Sequence, residues 1–241
     1  TSHMSYNRII SLLYLSTDGI WGETLGVAAS FVALFILFGA FLEATGAGKI
    51  FIDLAFSIGG RFRGGPAKVA ILGSGLMGTV SGSPVANVTT VGTFTIPLMK
   101  RVGYQPWVAA GIEAVGSTGG SIMPPVMGAG AFVMAQMTGI PYNEIVIAAI
   151  IPAILYYVSL FFFVDFEAGR LKMSGLPKSE LPPFKKTLFQ GLHLYVGLIT
   201  LIYLLVFAQV SPMKAAFWSI VALVVATLIF YRKSVKWDFL I

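Results

Sequence analysis

The chain has 241 residues, of which 56% are apolar, 13% aromatic and only 11% charged; a soluble domain carries roughly 25% charged residues. This composition excludes an ordinary soluble domain and predicts an all-α integral membrane protein set in a lipid bilayer. The absence of cysteine excludes disulfides and thiolate metal sites. The net charge of +6 sits between the apolar stretches, so it reads as membrane topology and not as a nucleic-acid surface.

In chain order, the opening TSHM (1–4) reads as a vector scar and removes His3 from consideration. With no leader visible, the chain is expected to be a fragment of a longer protein. His193, left alone, cannot build a zinc site; it reads as interfacial. RIISLLYLST (8–17) predicts an outer-side connecting helix within 5–22. A scaffold span follows within 23–48, centred on the apolar run Leu25–Leu42. Within 49–65, Ile50, Phe51, Leu54 and Ile58 fall on one helical face, which suits an arm on the cytoplasmic interface.

Residues 66–103 are apolar enough for a bilayer yet carry SGSP (81–84) and Asn87 near their middle. Arg61, Arg63 and Lys68 lie at one end, Lys100 and Arg101 at the other. Basic residues favour the cytoplasmic side, so both ends predict a re-entrant hairpin based in the cytoplasm, its tip about midway into the bilayer. Segment 104–142 then crosses outward. A helix over 105–138 would measure about 51 Å, against a hydrocarbon core of about 30 Å. Its middle, GSTGGSIMPP (116–125), is poor helix interior, and a helix that unwinds near Gly116–Gly120 and restarts is expected. Residues 143–187 hold a span and a basic loop in which Asp165 and Glu167 read as solvated. Residues 188–241 hold two further scaffold spans. Of the 16 Lys and Arg, this topology leaves only Arg8 and Lys214 outside. Trp107, Trp218 and Trp237 read as interfacial anchors.

Unwound backbone at membrane depth is tolerated where it is buried in protein or lines a wet cavity. Two such breaks at similar depth describe a secondary-transporter site. No acid lies between Asp53 and Glu113, so the candidate ligands for Na⁺ are neutral: Ser81, Ser83, Asn87, Gly116 and Thr118, through hydroxyls, the amide or carbonyls. The substrate candidates are Ser83, Asn87, Thr118 and Gly119. A lone Ser/Gly cluster more often serves close helix packing; two clusters with prolines, each in a segment of anomalous length, favour a site. Glu113 is the one acid of this inner region and the candidate for proton coupling, weighed against a structural acid. No cofactor is expected beyond a coupling ion. An enzyme is not expected, because Ser81 and Ser83 have no His and only Glu113 as a base. A channel would need a continuous polar stripe, whereas polarity here is concentrated at two points; a purely structural bundle would leave the breaks unexplained.

GTVSGSPVANVTTVGTFTIPLMKRVGY (78–104) followed by GSTGGSIMPPVMGAGAFVMAQMTGIPY (116–142) closely resembles the large permease subunit of tripartite ATP-independent periplasmic (TRAP) transporters. FLEATGAGKIFIDLA (41–55) and the IMPPVMGA run resemble the fused TAXI subgroup. The resemblance covers residues 8–231. Ser83-Pro84 departs from the Ser-Ser often found there and removes one hydroxyl. The resemblance implies an elevator-type transporter of two inverted halves, driven by a Na⁺ or H⁺ gradient, with an organic acid delivered by a periplasmic binding protein. It matches the first half only, so the second half and the small four-helix part are expected to be missing. It also implies a bacterial or archaeal cytoplasmic (inner) membrane, and a fragment that self-associates in detergent to cover its unpartnered face.

Overall fold

A computed structural model describes residues 5–17, 19–177 and 180–230. The TSHM scar, the basic cluster Arg232, Lys233 and Lys236, and Trp237 lie outside the described residues. The described chain is helical: α1 (Tyr6–Tyr14), α2 (Glu23–Ala44), α3 (Ala47–Gly59), α4 (Gly65–Ser81), α5 (Pro84–Arg101), α6 (Pro106–Thr118), α7 (Ala129–Thr138), α8 (Tyr142–Arg170), α9 (Phe184–Gln190), α10 (Leu192–Phe207) and α11 (Pro212–Phe230). Among the described residues α2, α8 and α11 are each long and apolar enough to cross a membrane. The span expected from about residue 188 is divided: α9 and α10 meet at Gly191 with a bend of 66°. Gly191 permits the corner because a Cβ there would press on Tyr195 and Ile50.

Two apolar cores organise the helices. The larger joins α2, α3, α7, α10, α11, the tip end of the α4–α5 pair and the start of α8, with Phe38, Leu42, Val80, Val91, Phe132, Tyr142 and Leu201 buried in it. The smaller holds the base of the pair to α6 and the end of α8 through Ala67, Ile71, Met99, Ile112, Leu160 and Val164. Helix α8 therefore contributes Tyr142, Ile145 and Val146 to one core and Leu160 and Val164 to the other. Burying a side chain of this size contributes about 1.5–3 kcal/mol, so α8 ties the two regions together.

Three expectations change here. Helix α3 is not a one-faced arm: it packs on α4 and α9, so Ile52 and Ala55 are buried along with Ile50, Phe51 and Leu54, while Ile58 is exposed. His193 is buried, its Nε2 3.2 Å from the Thr45 carbonyl. Asp165 is not a freely solvated acid. It accepts from Arg63 Nε at 2.9 and 3.0 Å and from Lys68 Nζ, while Lys68 is buried over the Phe161 ring. This cluster pins the base of the α4–α5 pair to the end of α8. Beside it Tyr104, in the loop before α6, has its phenol pushed up to about 12, by burial first and then by Glu167 and Asp165.

Candidate functional site

The stretch SGSP (81–84) makes a stop and a start. Helix α4 closes when the Gly82 N–H donates to the Gly78 carbonyl at 3.3 Å, with Gly82 in the left-handed region at φ 57°. A side chain there would be strained, and its Cβ would lie 1.8 Å from the Met127 carbonyl oxygen. Ser83 then caps α5, its Oγ accepting from the Ala86 N–H at 3.3 Å, and Pro84 takes the first helical turn, the usual arrangement for a helix start. The result is a tight helical hairpin. Its arms, of 17 and 18 residues, measure about 26 and 27 Å at ~1.5 Å per residue, long enough to reach most of the way across a ~30 Å core.

The break facing it lies later than expected. Residues Gly116–Thr118 remain helical, Gly119–Ile122 tighten into a 3₁₀ turn, and the chain is irregular from Met123 until α7 begins at Ala129. The glycines are tolerated in the helix because they are packed: a Cβ on Gly116 would meet Ser74, and Gly119 lies against the Tyr156 and Tyr157 rings. The adjoining Pro124-Pro125 stops the helix, since proline lacks the N–H and restricts the residue before it. Tyrosines of α8 take the carbonyls around this break. Tyr156 donates to Val115 at 2.7 Å, Tyr157 to Gly116 at 3.1 Å, and Tyr142 to Val126 at 2.6 Å.

Hairpin and break meet backbone to backbone. A Cβ on Gly78 would lie 2.5 Å from Gly120 Cα. Beyond this crossing, a pocket of about 380 Å³ is lined by Ser81, Gly82, Ser83 and Pro84 of the tip, by Ser121 and Val126–Gly130 of the break, and by Val32, Phe35, Ile36 and Phe132. On the other side of the crossing, a fully buried polar cluster joins three helices. Glu113 Oε1 accepts from Ser74 Oγ and Ser117 Oγ at 3.1 Å each, and Oε2 is held by Thr95 Oγ1. Asn87 donates through Nδ2 to the Ser74 carbonyl at 2.8 Å. Its Oδ1 is buried without a hydrogen-bond partner.

Residues 7–238 match the family described as the tripartite ATP-independent periplasmic transporter, DctM component. The chain belongs to this family. It is 27% identical over 221 residues to the uncharacterized protein y4mL of Sinorhizobium fredii, covering 91% of this chain and 52% of that one. It is 31% identical over 150 residues to the C4-dicarboxylate TRAP transporter large permease protein DctM of Pseudomonas aeruginosa, covering 62% of this chain and 35% of the relative. To the 2,3-diketo-L-gulonate TRAP transporter large permease protein YiaN of Escherichia coli it is 28% identical over 173 residues, 72% of this chain and 39% of the relative. The chain thus spans about half the length, or less, of the curated relatives it matches.

Within this chain the predicted site residues divide. Ser81 and Ser83 line the pocket. Asn87 and Gly116 lie in the buried region, at Ser74. Gly119 is buried under the tyrosines. Thr118 is exposed and donates back to the Ala114 carbonyl at 2.8 Å; it is not brought to the pocket. Glu113 is placed at the centre of the cluster. Ser74, Thr95 and Ser117 were not predicted. Single hydroxyls in apolar runs read as packing residues, yet spacing marks them: Asn87 and Thr95 stand two turns apart on α5, Glu113 and Ser117 one turn apart on α6.

Proposed function

We propose that this chain is the first inverted half of a TRAP large permease of the TAXI type, a secondary transporter that takes up an organic acid by an elevator movement. The observation that carries the reading is the pocket between hairpin tip and broken helix. Two helices begin at its wall, α5 after Ser83 and α7 after Gly128. Their positive ends suit a carboxylate, and no acidic side chain lines the space. In this reading the hairpin is re-entrant from the cytoplasm, and hairpin and break travel together because Gly78 and Gly120 leave no gap between them. Ser81 and Ser83 would hold substrate or Na⁺ at the tip. Asn87 supplies an oxygen acceptor that a Na⁺ ion would satisfy, and the Gly116 carbonyl, now taken by Tyr157, is a further candidate. Glu113 would serve instead if protons drive uptake.

The substrate would arrive from a periplasmic binding protein, and the second permease half and a small four-helix part would complete the machine in the inner membrane. Alone, the half would self-associate and would not transport. The test is uptake of candidate organic acids by the complete permease containing this segment. Ser81→Ala and Asn87→Ala each abolish uptake with normal membrane insertion; unchanged uptake in both contradicts the assignment.

A further inference from the structure

We propose that Glu113 is a proton-binding site, a neutral carboxylic acid sealed from water, whose proton helps join the hairpin to the broken helix. The inference stands on hydrogen-bond bookkeeping and holds whichever ion drives transport. Glu113 is fully buried. A Cβ on Gly92 would lie 2.9 Å from its Cγ, so α5 is closed down over the side chain. The groups facing it are Ser74 from α4, Thr95 from α5 and Ser117 from its own helix. From α8 the titratable neighbours are Tyr156 and Tyr157, whose hydroxyls are engaged by the Val115 and Gly116 carbonyls. Among the described residues no Lys, Arg or His forms an ion pair with Glu113. A buried carboxylate without a cation is strongly disfavoured.

The hydrogens give the same answer. Thr95 has one hydroxyl hydrogen, and its Oγ1 stands 3.0 Å from the Val91 carbonyl as well as against Glu113 Oε2. With Glu113 neutral, both of its oxygens and the Thr95 hydroxyl are satisfied. Its O–H donates to Thr95 Oγ1, Thr95 donates to Val91, and Ser74 and Ser117 donate to Oε1. With Glu113 ionised, Thr95 must serve two acceptors with one hydrogen, and the charge is left to three neutral donors where about four lone-pair positions need them. Release of the proton therefore requires water or another base to reach Oε2, which requires α5 to lift from α6. Proton occupancy and hairpin docking are linked.

Infrared difference spectroscopy of the purified 241-residue chain in detergent tests this. The wild type shows the carbonyl stretch of a protonated, non-aqueous carboxylic acid in mildly acidic through mildly alkaline buffer, and Glu113→Gln removes it. Glutamine reproduces the neutral acid, accepting from Ser74 and Ser117 and donating to Thr95, so its melting temperature stays within a few degrees. If Glu113→Gln does not fold, Thr95→Val gives the same information: loss of the acceptor shifts the band. A wild-type spectrum with no such band, or a band present only in acid, overturns the proposal. So does a band left unmoved by both variants.

Discussion

The two ends of the hairpin solve the problem of polar groups in an apolar segment in opposite ways. At the tip, the hydroxyls serve the local backbone: Ser83 caps α5, Ser81 accepts from the Ser83 N–H, and both remain at the wall of an open pocket. In the stem, Ser74, Asn87, Thr95, Glu113 and Ser117 are fully buried and bind one another across three helices. The tip hydroxyls, unlike Gly82 between them, are cheap to alter structurally and are free to meet a ligand. The stem is rigid, because each buried polar group there depends on another chain segment. A polar break in a membrane segment thus marks where the helix turns; the energetic centre lies several turns away.

This contrast can be broken at four places. The largest effect is expected at the crossing between tip and stem. Gly78→Val drives a side chain against the Gly120 backbone, at or above the top of the ~1–3 kcal/mol range for overpacking, and is read as a collapse of melting temperature in detergent. Glu113→Ala strands the Ser74 and Ser117 hydroxyls, each costing ~1 kcal/mol or more when left unsatisfied, while Thr95 keeps the Val91 carbonyl; it lowers the melting temperature, although the tip pocket is untouched. At the base, Asp165→Asn removes the countercharge of buried Lys68 while keeping an acceptor oxygen. It lowers thermal stability, and adding Lys68→Met recovers part of the loss; two strictly additive losses would show that the pair does not act as a unit. The smallest effect belongs to the tip. Ser83→Ala costs about 1 kcal/mol as a lost cap and leaves the fold intact, so any larger change in it would be a change in binding.

Much of this arrangement was legible in the sequence. Low charge with long apolar runs gave the membrane class, which the DctM match and three spanning-length helices bear out. The polar run at 81–84 marked where two helices meet, and Gly82, Ser83 and Pro84 form the stop, cap and start of that turn. The break was placed too early because glycine was weighed by its intrinsic propensity; Gly116 and Gly119 stay helical since Ser74 and two tyrosines pack on them. The stem cluster was missed for a physical reason. Ser74, Thr95 and Ser117 become a site only when three helices fix their mutual register, and no local pattern contains that register. The Arg63–Asp165–Lys68 cluster was hidden likewise, its partners standing 102 and 97 positions apart.

The central claim put to test is that hairpin and broken helix together hold a sodium site that uses the buried Asn87 oxygen, beside the tip pocket. It is tested most directly by the melting temperature of the purified chain, and of the complete permease containing it, in NaCl against choline chloride at equal ionic strength. A ion that binds only the folded state stabilises it by RT ln(1 + [L]/Kd). The account predicts a higher melting temperature in sodium, lost in Asn87→Ala. Equal melting temperatures in the two salts, for both the chain and the complete permease, would contradict it.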